Sequence, residues 1–499
     1  MNHFQHCIVL LGLPLLFSVA TGKFAFDGFR HYRLSPMSAR ALSRLRWLET
    51  EFPAEPDPLS GLMFLTRPGR KFASVDVLVP PGLNAAFLNL VQATSAMRMQ
   101  LIHKDYGRQL ALFNQENARA HQQNSEALKR RRREADGGRV TGRMQMNHNF
   151  YRSYAEIRRS LIELKDRCNE LHPGTCSLER IGRTFEGRRL FVLKIAKNKS
   201  PDSSKKTAVW LDAGIHAREW VSPATALYIA DQLINVGLPA SLSNANQSSL
   251  TVTEAAEIVE RHEIMMLILY NPDGYEYSRL RNRMWRKNRE VNGMRRYCRG
   301  VDLNRNYGYR WGGGAGSSGF PCADNFRGPA AFSAAETSAV RRYLESRKSR
   351  LLMFVSLHSF GQYLLIPYGY QKNTYSKTHH EKMMYAATLA VYKMFAINDR
   401  FYALGTGSDM LYEANGGSDD WAHGSLGVPY SFTVELPDEG DYGFLLPGYL
   451  VPSVGREAMR GLGSLLSSAR RLEGQQEDAA DSANAQPCNR LMQNAASGN

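Results

Sequence analysis

An α/β fold, with helices covering both faces of a mixed or parallel sheet, is what this sequence predicts for its larger part. Three patterns carry that prediction. Apolar runs of strand length alternate with helical stripes from about residue 147 to 472. Several runs, such as Ala208–Leu211 and Leu351–Val355, are apolar throughout, as strands buried on both faces are. Three runs also lead directly into chemistry-bearing residues: His216 and Glu219 after the first, His358 after the second, and Glu435 at the end of Tyr430–Val434. Ligands of open α/β sheets gather at the carboxyl ends of strands, so these ends can converge on one crevice.

The elements follow in order. Residues 1–22 read as a secretory signal peptide, with an apolar stretch from Ile8 to Val19 and small residues at Ser18-Val-Ala20 and Ala20-Thr-Gly22. Residues 23–105 read as a compact α+β unit. Its strands are expected over Phe26–Leu34, Ser74–Val79 (Val75, Val77 and Val79 on one face) and Met97–Ile102. Its helices are expected over Ser38–Glu51, with Leu42, Leu45 and Leu48 at helical spacing, and over Asn84–Ala93. Residues 106–146 read as a polar connecting helix, Tyr106–Arg133, and an exposed linker, Glu134–Arg143. In the larger domain, 147–472, Ser153-Tyr-Ala-Glu156 is a capping box opening a helix with Ile157, Leu161 and Leu164 on one stripe. Strands are expected at Leu190–Ile195, Ala208–Ala213, Ile264–Tyr270, Leu351–Leu357 and Tyr430–Leu436. Helices are expected at Pro223–Val236, from a second capping box Ser333-Ala-Ala-Glu336 to about Arg347, at His380–Phe395 and at Val454–Leu472. The polar tail, 473–499, is expected to be disordered.

Of 499 residues, 43% are hydrophobic and 22% charged, which is the composition of a soluble globular protein. No stretch after the signal reaches the length of a spanning helix, so a secreted product that neither enters a membrane nor stays in the cell is expected. The formal charge of +16 admits a polyanion-binding face, but the densest run, Lys129-Arg-Arg-Arg-Arg133, lacks aromatic interleaving. In a secreted chain that run reads as a cut site for a trypsin-like or furin-like protease, and no nucleic-acid partner is expected. Cysteines suit the oxidising compartment. Cys168 with Cys176, and Cys298 with Cys322, can each close a short loop, whereas Cys7 leaves with the signal and Cys488 is left over. Asn198-Lys-Ser200 and Asn246-Gln-Ser248 are glycosylation acceptors by pattern.

His216 and Glu219, in Asp212-Ala-Gly-Ile-His-Ala-Arg-Glu-Trp220, together with His358, form the two-imidazole, one-carboxylate set of a hydrolytic zinc site that leaves a position open for water. The surrounding runs go further. Gly214-Ile-His-Ala-Arg-Glu-Trp220, Asn271-Pro-Asp-Gly274, Trp285-Arg-Lys287, Val301-Asp-Leu-Asn-Arg-Asn306, His358-Ser359, Pro367-Tyr-Gly-Tyr370, Gly416-Gly-Ser-Asp-Asp-Trp421, Phe432-Thr-Val-Glu-Leu436 and Tyr442-Gly-Phe-Leu-Leu-Pro447 occur in this order. On these motifs the larger domain resembles the zinc carboxypeptidases of the pancreatic A/B (funnelin) family, and the first unit resembles their activation segment.

The resemblance implies a mixed eight-stranded sheet flanked by helices, preceded by a small ferredoxin-like pro-domain. It implies one Zn2+ on His216, Glu219 and His358, and peptide C-termini as the substrate. Glu435 would be the general base and acid, and Arg286 would stabilise the oxyanion. Arg305 with Asn304 would grip the terminal carboxylate in bidentate fashion, Tyr412 would close over it, and Arg218 would hold the peptide further along. Cys298 and Cys322 match the family's disulfide positions; the Cys168–Cys176 pair rests on spacing and compartment alone. Asp419 falls where B-type enzymes carry an aspartate, and Gly407 matches a pocket-wall position where a missing side chain leaves room for Lys or Arg. Two other readings stay open: an A-type pocket for aromatic or aliphatic ends, should Asp419 point away, and a secreted non-catalytic binding protein on the same fold. The sequence departs from the pancreatic pattern at Phe360, where a Tyr is usual, and in a longer Ser241–Thr253 stretch.

Overall fold

The computed structural model describes residues 24–136, 146–196, 207–234, 258–292 and 297–484, apart from 56, 260 and 315. The expected signal peptide, both glycosylation acceptors, the Ser241–Thr253 stretch, Cys7 and Cys488 lie outside the described residues.

The first unit is a four-stranded antiparallel sheet in the order β2-β3-β1-β4. Its strands are β1 (Arg30–Pro36), β2 (Met63–Phe64), β3 (Val75–Val79) and β4 (Met97–His103), with helices α1 (Ala39–Glu51) and α2 (Asn84–Gln92). The crossing pattern is the ferredoxin-like one. Period-two alternation divides β3 between two cores. Val75, Val77 and Val79 meet Leu45, Leu48, Phe87 and Val91 of the helices, whereas Leu78 joins the core of the larger domain. β1 begins four residues later than the sequence suggests. A turn at Asp27–Gly28, with Gly28 at φ +72°, breaks the apolar run, and Phe26 and Phe29 pack as core side chains instead.

Helix α3 (Tyr106–Asp136) then runs along the larger domain. It extends three residues past the expected end, so the linker does not begin at Glu134 as expected. Lys129 and Arg130 are exposed on it.

The larger domain holds an eight-stranded mixed sheet in the order β11-β10-β12-β9-β7-β8-β6-β5. The strands are β5 (Cys176–Arg183), β6 (Arg189–Ile195), β7 (Thr207–Ala213), β8 (His262–Leu267), β9 (Leu351–Ser359), β10 (Tyr363–Ile366), β11 (Ala403–Thr406) and β12 (Tyr430–Leu436). The parallel centre β12-β9-β7-β8 is buried nearly throughout, as its apolar runs predict. In β7, Val209 and Leu211 face one apolar cluster and Trp210 the other. On one face lie helices α4 (Tyr154–Leu171), α5 (Val221–Ile234), α8 (His380–Asn398) and α11 (Val451–Asn484); on the other lie α7 (Ala335–Glu345) and α10 (Ser418–Gly424). Short helices α6 (Pro272–Leu280) and α9 (Gly407–Met410) are also present among the described residues. The disulfides Cys168–Cys176 and Cys298–Cys322 are both formed.

The capping box at Ser153 is formed: its hydroxyl accepts from the Glu156 amide, and Glu156 accepts from the Ser153 amide at 2.8 Å. The second capping box is not. Ala334 is the N-cap of α7, without a side-chain bond, because Ser333 Oγ already accepts from Asn306 Nδ2 at 2.9 Å and Glu336 turns inward to Asn288 Nδ2 at 3.1 Å. α11 begins three residues before its expected start and continues through Asn484, so the first part of the expected disordered tail is helical. The strand expected to reach Tyr270 ends at Leu267, and the helix expected from Pro223 starts at Val221.

Candidate metal centre and cleft

Three neighbouring strands supply the centre. β7 leads into the turn carrying His216 and Glu219, His358 lies near the end of β9, and Glu435 lies near the end of β12, directly opposite His358 in the parallel register. Their carboxyl ends thus bring together residues more than 200 positions apart in the chain, as expected for a sheet of this kind.

His216, Glu219 and His358 are buried, and one ligand atom from each lies within 4.8 Å of the others. His216 Nδ1 is 2.7 Å from Glu219 Oε1 and 3.2 Å from His358 Nδ1; His358 Nδ1 is 3.2 Å from Glu219 Oε2. The far nitrogen of His216 faces Asp302 Oδ1 at 3.2 Å, the carboxylate–histidine pairing that fixes the ring and raises its basicity. The donor set fits a divalent cation. Burial alone would lower the His358 pKa, yet the Glu219 carboxylate beside it draws positive charge and raises it to about 9. Burial pushes Glu219 up, but the two imidazoles overcome this and hold it well below the usual carboxylate range. Two buried imidazoles and one carboxylate are the donor set of catalytic zinc sites, which keep a further position open for water.

The remaining expected residues line the same cavity, which is about 1950 Å³. Glu435 is outside the triad but beside it. Burial lifts its carboxyl to about 7, against the pull of His358. Arg286 is fixed by two bonds to Asp302 Oδ2, at 3.1 and 3.0 Å, and stands 3.9 Å from Glu219. Arg305 is steadied by the carbonyls of Gly316 and Asn304 and has no ion pair among the described residues. Asn304 accepts from the Ser418 amide at 2.9 Å. Arg218 is held by Met284 O and Asp324 Oδ2, each at 3.3 Å. Tyr412, Asp419 and Gly407 line the cavity too. A side chain at Gly407 would meet only Gly369, at 3.4 Å, so this wall is open. Asp420, by contrast, is fully buried and spent on the Gly369 and Tyr370 amides.

Two residues were missed in the sequence. Asp302 joins His216 to Arg286, and Arg283 donates to the Arg218 carbonyl at 2.7 Å while stacking on Trp220. Asp302 lies inside a quoted motif, so its position was visible; its partners were not.

The zinc carboxypeptidase family model matches residues 161–461. The chain belongs to the zinc carboxypeptidase family. It is 32% identical over 317 residues to carboxypeptidase B of Astacus astacus, covering 64% of this chain and 96% of that one. It is 28% identical over 470 residues to zinc carboxypeptidase A 1 of Drosophila melanogaster, covering 93% and 97%. The crystal structure of thrombin activatable fibrinolysis inhibitor superposes with a TM-score of 0.71 at 27% identity, covering 89% of this chain and 98% of that one. The carboxypeptidase is therefore a metallopeptidase hydrolase acting on peptide C-termini, and its buried triad can hold the family's catalytic zinc. No described helix is long and apolar enough to cross a membrane.

The first unit covers the cleft. Arg67, paired with Glu49 at 2.7 Å, stacks over the Tyr412 ring at 5.4 Å, and Gly69 lies so close to Leu411 that a Cβ there would come within 1.8 Å of its carbonyl.

Proposed function

We propose that this carboxypeptidase is a secreted zymogen whose active form releases single C-terminal residues with a preference for Lys and Arg. The observation that carries the specificity is Asp419 on the wall of a cleft that also holds Arg305 and the open face at Gly407. The Arg305 fork, with Asn304, binds the terminal carboxylate, and Tyr412 closes over it. Asp419 then pairs with the ammonium or guanidinium of the terminal side chain. An apolar end would leave that carboxylate unpaired in a poorly solvated pocket.

Zinc, when held by the triad, polarises the scissile carbonyl and makes a water more acidic. Glu435 takes the proton of the attacking water and hands it to the leaving amine. Arg286, held rigid by Asp302, donates to the oxygen that gains negative charge, and Arg218 binds the peptide further from its end. In the precursor the first unit obstructs the cleft; a cut after Arg133 or Arg143 by a trypsin-like or furin-like protease frees it.

The test is metal stoichiometry together with a Glu435→Gln variant. One zinc per chain in both proteins, with turnover lost only in the variant, is expected. Full turnover in the variant would overturn the role of Glu435.

A further inference from the structure

Helix α8 is apolar on two opposite faces. Met383, Ala386, Ala387, Ala390 and Met394 form the inner one and are buried. The outer one carries Tyr385, Leu389, Tyr392 and Phe395, at the i, i+4, i+7 and i+10 spacing of one helical stripe, and Phe401 follows just past the helix end. A helix apolar on both sides is normally covered on both sides. Here the rings of the outer face meet solvent: Tyr385 is 43% exposed, Tyr392 68%, Phe395 42% and Phe401 66%. None of them lines the cleft, and the docked first unit leaves them bare. Such rings bury about 150–250 Å² each when sealed, so covering these four would remove roughly 400 Å² per protomer, about half of what one partner contributes to a stable interface.

The charges at the two ends of the stripe select its partner. Glu381 and Lys382 stand at the start of α8, and Asp399 and Arg400 immediately after its end. Lys382 gives one bond to Glu473 at 3.1 Å and Arg400 one to Glu457 at 2.7 Å, so each keeps donors to spare. Glu381 and Asp399 are exposed. A second α8 laid antiparallel, about a two-fold axis level with Ala390 and Val391, sets Glu381 opposite Arg400 and Lys382 opposite Asp399. The same register sets the large Tyr385 against the small, exposed Ala396, and Leu389 against Tyr392. A parallel pair would instead oppose Glu381 to Glu381. The face is thus complementary to itself in charge and in size, which is what an isologous contact requires. We propose that the outer face of α8 is the interface of a two-fold homodimer, in which two copies of this chain pair antiparallel through Tyr385, Leu389, Tyr392 and Phe395.

The experiment is analytical ultracentrifugation of the full chain over a wide range of concentration. The mass is expected to double as concentration rises. Tyr392→Ser acts on both sides of a two-fold contact and should raise the dissociation constant by about a hundredfold or more, as loss of a central aromatic anchor does. Glu381→Lys should raise it by about tenfold, an effect that shrinks with added salt. Should Tyr392→Ser misfold, as judged by circular dichroism, Phe395→Ser serves the same test. A single chain at every concentration, or a pair that the serine variants leave unweakened, would overturn the proposal. So would single chains that co-sediment through Tyr392 with vesicles of phosphatidylcholine and phosphatidylserine, because the stripe would then be a membrane contact.

Discussion

Glu435 is poised between two influences. Removal from water favours its neutral form, and the cationic His358 and Arg286 favour the carboxylate. A divalent cation at the triad would leave His358 neutral and take over its influence with a larger positive charge. The acidic limb of kcat/KM is therefore expected below pH 7, with activity rising as Glu435 loses its proton; a limb above pH 8 in a pH–rate profile would contradict this. Glu435→Gln should lower kcat by about 10²–10⁴-fold, the usual worth of a positioned general base. Asp419→Ile should lower release of terminal Arg by about a hundredfold or more and raise release of Leu, because it removes the counter-charge and the penalty together. Competition between Arg- and Leu-ended peptides measures both. At this scale the sequence was most informative: the triad, Glu435, Arg286 and Arg305 each lie in a short motif that also fixes their place at a strand end or turn. Pairs formed across the fold were not legible. Glu55 and Lys287 are 232 residues apart, and nothing local to either predicts the other.

Two apparently equal helix starts behave differently, which shows where pattern reading stops. Ser153 caps α4 because its hydroxyl and amide meet Glu156 Oε2, while His121 engages only the other carboxylate oxygen. Ser333 and Glu336 have the same spacing, yet Asn306 and Asn288 claim them. Ser153→Ala should cost about 1 kcal/mol in denaturant unfolding, and Ser333→Ala should act through Asn306 and not through helix capping. Glu336 carries a pH dependence of its own. Burial raises its carboxyl from 4.5 to about 8. Between those values the unfolded chain has lost the proton that the folded chain keeps, so stability falls as pH rises from about 4.5 to about 8. Glu336→Gln should match the parent at pH 4 and be more stable at pH 9; parallel stability profiles would refute this. The short strands β2, β10 and β11 were illegible because they contain too few residues to show a period. β5 was missed because its charged, half-exposed positions dilute the alternation.

For the whole molecule, the alternation of apolar runs and helical stripes was enough to predict the covered sheet, and the resemblance added its eight strands. The docking of the first unit was not legible, since it depends on surfaces that recognise each other only when folded. Phe26, Phe29, Leu78, Tyr106, Leu110 and Phe113 join the same apolar cluster as Trp220, Tyr275 and Met284 of the larger domain. Asn117 on α3 also bonds both backbone groups of Tyr151. A cut in the linker is therefore expected to leave the unit bound at first. Cleaved protein should elute as one species in size-exclusion chromatography, with activity appearing as the unit dissociates on dilution. Full activity at the moment of cutting would refute this.

The most direct test of the account is turnover of four peptides identical except for a terminal Arg, Lys, Leu or Phe, by separated enzyme with and without a chelator. Chelator-sensitive release of Arg and Lys, at least about tenfold faster than Leu or Phe, is the predicted result. Preferential release of Leu or Phe, or release that survives removal of the metal, would contradict it.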